Sequence, residues 1–453
     1  MRKTLAAMPV VLWLAGCSSD TATKQAAPVD ARVFENATLI DGSGRPQVND
    51  SAIIVVGGKV EYAGPKSGAP QAPAGAERLD LTGKFVMPGI INLHSHLGNA
   101  KELTSGPENY TRENVNAHLQ TLTNYGVTSV ISMGSDQEII LTMRDEQRAT
   151  NRPPLTRIYT AYRGFTGKAG YPTKAPGMQG VPYEVATVAE VEKAVEELAA
   201  RKVDIVKIWV DDHLGKEPKI PFELSKAIID NAHKRGLKVG AHIFYLDDAK
   251  KLVGAGLDAL LHSVRDKPVD EAFLKLMKEK NAWQAASTIT REMSTFIFGK
   301  PSFLLDDPFF TKAVPPGVLA TLKDPEYQKK VAATPDAKAF PKYAEMAKKN
   351  LKTVANSGVN YGFGSDTGGS PTRFFGYFEH WELALMAEAG LTPMQIIESF
   401  SKNAAAFLGA KDLGTIEAGH WADMVVLGAN PLEDIKNARS IESVWIAGNK
   451  ANR

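Results

Sequence analysis

Eight apolar, strand-like runs frame this chain, at 84–93, 127–133, 156–161, 203–209, 238–243, 258–263, 282–288 and 359–364. Amphipathic stretches with helical spacing lie between most of them, as at 188–201 and 221–235. Strands that alternate with helices pair in parallel, and eight such units close on themselves as a (β/α)8 TIM-type barrel. The span of 87–407 exceeds the roughly 250 residues usual for such a barrel and leaves room for long loops. The largest excess, 290–335, follows the seventh run and is rich in Phe, with Phe296, Phe298, Phe303, Phe309 and Phe310. A packed surface insertion and an apolar lid over the barrel mouth both account for it.

The two ends read differently. Residues 52–56, Gly57-Gly58 and 59–63 spell a hairpin, and 421–427 and 441–447 are also strand-like. The α/β barrel at 87–407 is therefore expected to carry a small β-sandwich built from both termini, 31–86 plus 408–453.

At the extreme N-terminus Arg2 and Lys3 precede an apolar run from Leu5 to Leu14. That run has the length of a signal-peptide core and is too short to cross a bilayer as a helix. It ends in Leu14-Ala15-Gly16-Cys17, which resembles a bacterial lipoprotein signal. The resemblance implies that 1–16 is removed, that Cys17 is lipidated and held to a membrane, and that 17–30 is a polar tether. It places the protein in the bacterial cell envelope. Ser18 after the cysteine favours the outer membrane in a Gram-negative host; otherwise the outer face of the cytoplasmic membrane is expected. Cys17 is the single cysteine, so an intrachain disulfide, a zinc finger and an iron–sulfur site are excluded. Lys plus Arg number 53 against 51 Asp plus Glu. That balance offers no basic excess for a nucleic-acid surface, and no nucleic-acid partner is expected.

The strongest chemical signal is Met87-Pro-Gly-Ile-Ile-Asn-Leu-His94-Ser-His96. Residues two apart on a strand share a face, so a His-x-His at a strand end can aim two imidazoles at one ion. In this position the motif resembles the metal-dependent amidohydrolase superfamily, and more closely its imidazolonepropionase-like, prolidase-type branch. The likeness covers nearly all of 31–450, including Asn403-Ala-Ala-Ala-Phe-Leu-Gly, Gly414-Thr-Ile-Glu-Ala-Gly and Ala422-Asp-Met-Val-Val-Leu near the end.

The resemblance implies a ligand set carried residue by residue. His94 and His96 come from the first strand, Lys207 from the fourth, His242 from the fifth, His262 from the sixth and Asp366 from the eighth. It implies two divalent metal ions, with zinc the first expectation, though manganese, iron, cobalt and nickel suit the same ligands. It also implies N6-carboxylation of Lys207 by carbon dioxide, giving an anion that bridges the ions. Lys207 lies among Ile205, Val206, Ile208 and Trp209, where a buried ammonium is costly; a lysine reaching a carboxylate is the alternative. The implied reaction is hydrolysis of an amide or peptide bond in a dipeptide or N-acyl amino acid, by metal-bridging hydroxide with Asp366 as proton shuttle. A lactonase or phosphotriesterase would use the same metals. A non-catalytic binding scaffold would be expected to have lost ligands.

Several positions depart from the family pattern. Deaminases of the superfamily tend to carry His-x-x-Glu after the fifth strand, whereas here the text is His242-Ile-Phe-Tyr245. Tyr245 is then a candidate donor to the developing oxyanion, with aromatic packing the alternative. Tyr171 stands where related dipeptidases often have a substrate-contacting His. Arg163 and Lys168 are candidates for binding a substrate carboxylate. Asn92 replaces an Asp common before the His-x-His. His118 and His233 are expected on helix surfaces. His213, His380 and His420 are expected in loops, with His380 a candidate for contact behind the site. Oligomeric state stays open, and a homo-oligomer is compatible with the resemblance.

Overall fold

The computed structural model describes residues 30–452. The expected signal segment, Cys17 and all but the last residue of the tether lie outside the described residues. Among those described, no helix is long and apolar enough to cross a membrane.

The first barrel strand, Ile90–Ser95, pairs in parallel with Val127–Ser132, which pairs with Arg157–Thr160. The chain of the third unit continues into Phe165–Gly167, which reaches Val206–Val210 through Phe165 and Ile208. Val206–Val210, Val239–Ile243, Ala259–Leu260 and Trp283–Gln284 then follow side by side. The eighth run forms no regular strand. It closes the barrel through single bonds: Gly362 N–H donates to the Gln284 carbonyl (2.9 Å) and Leu93 N–H to that of Phe363 (2.9 Å). Gly362 and Gly364 explain the irregularity. A Cβ at Gly362 would lie 2.7 Å from the Ala285 carbonyl, and one at Gly364 2.9 Å from the Cβ of His94. Close approach is bought here with residues that pack poorly in a pleated ladder.

The first apolar run is divided between two sheets. Phe85–Pro88 pairs with Met424–Leu427 and with the end of Ala31–Leu39, and Ile90–Ser95 belongs to the barrel. Pro88 lacks an N–H to continue a central ladder, and Gly89 permits the crossing: a Cβ there would stand 2.2 Å from Thr128. The terminal sheet has eight strands drawn from both ends of the chain. Phe34, Ile53, Val55, Val86, Met424 and Trp445 form its separate apolar core. The (β/α)8 barrel with a β-sandwich made by the termini is thus the architecture of the chain.

Helix starts carry local signals. Thr111 caps Arg112–Asn124, Thr187 and Glu190 form a capping box on Val188–Ala200, and Asp270 caps Glu271–Glu279. Residues 290–335 are a packed helical insertion. Phe298 and Phe310 are buried in the main core, whereas Phe303 is 65% exposed.

Candidate metal centre

Barrel strands gather their C-terminal ends, and four imidazoles meet there. The ring centres of His94 and His96 are 5.3 Å apart, His94 and His262 4.7 Å, and His242 and His262 4.2 Å. His96 Nε2 lies 3.0 Å and His94 Nε2 3.5 Å from Asp366 Oδ1. Ligand atoms of His94, His96 and Asp366 all fall within 4.8 Å of one another, a spacing that can hold one ion. Lys207 Nζ is 3.4 Å from His94 Nε2. The six expected ligand positions are therefore contiguous in space.

Each ring is oriented by its other nitrogen, as metal-binding histidines are. His94 Nδ1 pairs with the Leu261 carbonyl (2.8 Å), His96 Nδ1 with Ser135 Oγ (2.8 Å) and His262 Nδ1 with Thr288 Oγ1 (2.9 Å). His262 Nε2 is buried with no protein partner. His242 is turned the other way: its Nε2 meets Asp211 Oδ2 at 2.7 Å, leaving Nδ1 as the nitrogen available for coordination. A buried nitrogen without a partner among four neutral imidazoles is what a divalent ion would satisfy, so the donor set fits the metals that the motif implies.

Burial sets the protonation states. It lowers the pKa of His242 to about 3 despite Asp211, and takes His94 and His262 well below the ordinary imidazole value. These rings are neutral and free to coordinate. Burial likewise lowers Lys207 to about 7. For Asp366 burial pushes upward, but Arg373 and the imidazoles of His94 and His96 outweigh it and hold the carboxyl well below its ordinary value. Asp366 has φ of 59°, in the left-handed region that Asp tolerates at some cost.

A cavity of about 420 Å³ opens above these groups, with Tyr171, His213, Arg291 and Arg373 also in its wall. Arg373 Nη1 donates to Asp366 Oδ2 (2.6 Å), and Arg291 Nε is 3.5 Å from the same oxygen. Arg291 Nη2 donates to the Tyr171 hydroxyl at 3.3 Å, so Tyr171 stands at the site.

Other expectations are corrected. Tyr245 faces elsewhere: its hydroxyl donates to Asp212 (2.8 Å) and its ring lines a separate cavity of about 390 Å³. The arrangement therefore gives it no oxyanion contact. Arg163 is engaged by the carbonyls of Val181 and Gly180 and lies over the Tyr183 ring, and Lys168 is exposed away from the cavity. His118 is half-buried rather than fully on the surface, because its ring stacks on Phe375 at 4.1 Å and its Nδ1 accepts from Gly98 N–H. His233 is exposed as expected. His380 sits within the helix Tyr377–Glu388, where Nε2 bonds to the Tyr125 carbonyl (2.8 Å).

Sequence reading missed Asp211, Arg291, Arg373 and His213. A signal existed for Asp211, since positions 207, 209 and 211 share one strand face. Arg291 lies on the short helix Ile289–Ser294 and Arg373 in irregular chain, segments whose course no periodicity reveals.

A (β/α)8 barrel with a His-x-His at the end of its first strand and an Asp just after its eighth run, grouped at the base of one cavity, defines a metal-dependent hydrolase. The model of the amidohydrolase family matches residues 85–451, and the chain belongs to that family. Ochratoxinase from Aspergillus niger is 24% identical over 90% of this chain and 84% of its own. A solved Xaa-Pro dipeptidase with bound methionine is 20% identical, with a TM-score of 0.73 over 93% of this chain and all of that one. Other curated relatives are matched over only part of their length. The match covers 15% of a 5-methylthioadenosine/S-adenosylhomocysteine deaminase from Symbiobacterium thermophilum, at 43% identity over 65 residues. It covers 54% of an uncharacterized protein of Mycobacterium tuberculosis.

Proposed function

We propose that this protein is a binuclear metal-dependent amidohydrolase that cleaves an amide or peptide bond in a dipeptide or N-acyl amino acid. One observation carries the reading: His94, His96, Lys207, His242, His262 and Asp366 converge at one buried end of a cavity whose wall includes two arginines. Likeness to a Xaa-Pro dipeptidase supports the substrate class.

The six residues would hold two divalent cations, zinc being the first expectation. When bound, such a pair lowers the pKa of water towards about 7 and polarises a carbonyl. Lys207 contributes through its neutral amine: the nitrogen adds to carbon dioxide and releases one proton, leaving a carbamate. Asp366, ionised beside Arg373, takes the proton of the attacking water and returns it to the leaving nitrogen. Arg373 flanks Asp366 and offers a guanidinium to a substrate carboxylate, and Tyr171 beside Arg291 offers a phenol.

Purified protein with zinc, manganese or cobalt and bicarbonate is to be assayed on dipeptides, N-acyl amino acids, lactones and phosphotriesters. Turnover of the first two groups is expected. Turnover of the last two alone would replace this reading with a lactonase or phosphotriesterase. Anchoring through Cys17 is part of the same proposal: full-length protein expressed in bacteria should incorporate labelled palmitate, and C17A should not. Equal labelling of both would remove the anchor.

A further inference from the structure

One helix lies beneath both loops that shape the metal centre. Tyr377–Glu388 has ten of its twelve residues buried and is mostly aromatic or aliphatic on those positions. Glu379 and Glu382 nevertheless lie inside it at 0% exposure. Three residues apart, they share a face. Buried carboxylates are costly unless they are richly hydrogen-bonded, so the destination of their bonds is informative.

Glu379 Oε1 accepts from Asn92 Nδ2 (2.9 Å), Ser365 Oγ (3.0 Å) and Thr367 Oγ1 (2.6 Å), and Oε2 accepts from Gly376 N–H (2.7 Å). Ser365 and Thr367 flank Asp366 on either side. Asn92 Oδ1 in turn accepts from the backbone N–H of His94 at 3.0 Å. Glu382 accepts from the backbone N–H groups of Ile289 (2.9 Å) and Thr290 (2.7 Å). Those residues lie between Thr288, which orients His262, and Arg291, which approaches Asp366. Neither carboxylate is part of the cavity wall.

We propose that Glu379, paired with Asn92, is a positioning residue that clamps both sides of Asp366 to the first barrel strand, while Glu382 fixes the start of the short helix Ile289–Ser294 after the seventh strand. The inference rests on the role given to Asp366 above. The pairing has a direction: the amide on the strand donates to the acid on the helix. The single change N92D would oppose two carboxylates. Making both changes, N92D/E379Q, would restore a donor–acceptor pair with the direction reversed.

The test compares wild type, E379Q, N92D and the exchange N92D/E379Q by kcat, KM, thermal midpoint and the visible bands of the cobalt-loaded protein. Each single variant is expected to lose on the order of 10- to 100-fold in kcat, because small displacements of a catalytic group are expensive. KM should stay within about twofold, since none of the substituted side chains lines the cavity. Cobalt bands should shift in the singles, and the exchange should regain about tenfold of the lost kcat. Singles with a lower thermal midpoint but unchanged kcat and cobalt bands would overturn the proposal. So would an exchange whose loss is the product of the two singles. If N92D does not fold, T367V removes the 2.6 Å bond to Glu379, together with the longer contacts of the same hydroxyl to Ser95 and Ser365, and gives the same readouts. If wild type hydrolyses no amide, the functional reading fails while the cobalt bands still decide this proposal: a shift supports it, and unchanged bands overturn it.

Discussion

At Asp366 and Lys207 the chemistry is decided by burial against charge. Asp366 stays ionised because Arg373 and two imidazoles outweigh its burial. Its backbone φ of 59° is one that Asn also tolerates, so D366N isolates the loss of the carboxylate's proton chemistry. That variant should lose on the order of 100- to 10,000-fold in kcat. Metal analysis by mass spectrometry should still find much of the bound metal. For Lys207 burial wins: it lowers the amine to about 7 from an ordinary 10.5, with Asp366 opposing the shift only in part and Arg291 adding to it. The folded state then binds fewer protons than the unfolded one between these values. The stability cost of the buried lysine is therefore full below about 7 and is relieved as pH rises towards 10.5. Only the neutral amine attacks carbon dioxide. At fixed dissolved carbon dioxide, metal-free protein given metal should recover activity faster as pH rises through about 7, falling roughly tenfold per unit below it. Recovery that ignores pH would speak against a lysine titrating there.

Elements explain what the sequence showed of this site and what it hid. Seven of the eight apolar runs became barrel strands, and the residues at their ends were readable because strand period and strand end together fix where a side chain points. The eighth run, with Gly362 and Gly364, joins by isolated bonds, and the first was divided at Pro88-Gly89 by competition between two sheets. Arg291, on the short helix Ile289–Ser294, and Arg373, in irregular chain, escaped notice because the direction of such short segments is a tertiary property. Glu379 and Glu382 escaped because a helix buried on every side has no polar stripe to interpret. Contact between elements also sets glycine positions that look featureless in the text. A Cβ at Gly164 would lie 2.4 Å from Trp209 and 2.9 Å from Cγ of Lys207. G164A should therefore destabilise the protein by about 1–3 kcal/mol in urea titration and lower its metal content by displacing Lys207. An unchanged metal content would show that the fourth strand tolerates the shift.

The whole molecule is held together where its two sheets meet. Arg157 on the third barrel strand pairs with Asp423 of the terminal segment (Nε to Oδ2 2.8 Å), both side chains being buried. Asp423 Oδ1 also accepts from Ala447 N–H, linking barrel, sandwich and C-terminal strand. D423A strands a buried guanidinium and should cost about 3–5 kcal/mol, seen as a lower urea midpoint with one transition retained. A second transition would mean that barrel and sandwich unfold apart. In the proposed site this frame presents two cations, joined through Lys207, to one small substrate. The most direct measurement is metal stoichiometry of purified protein loaded in bicarbonate, for wild type and K207A side by side. Two ions per chain in wild type and fewer in K207A is the predicted result. One ion per chain in both would contradict it.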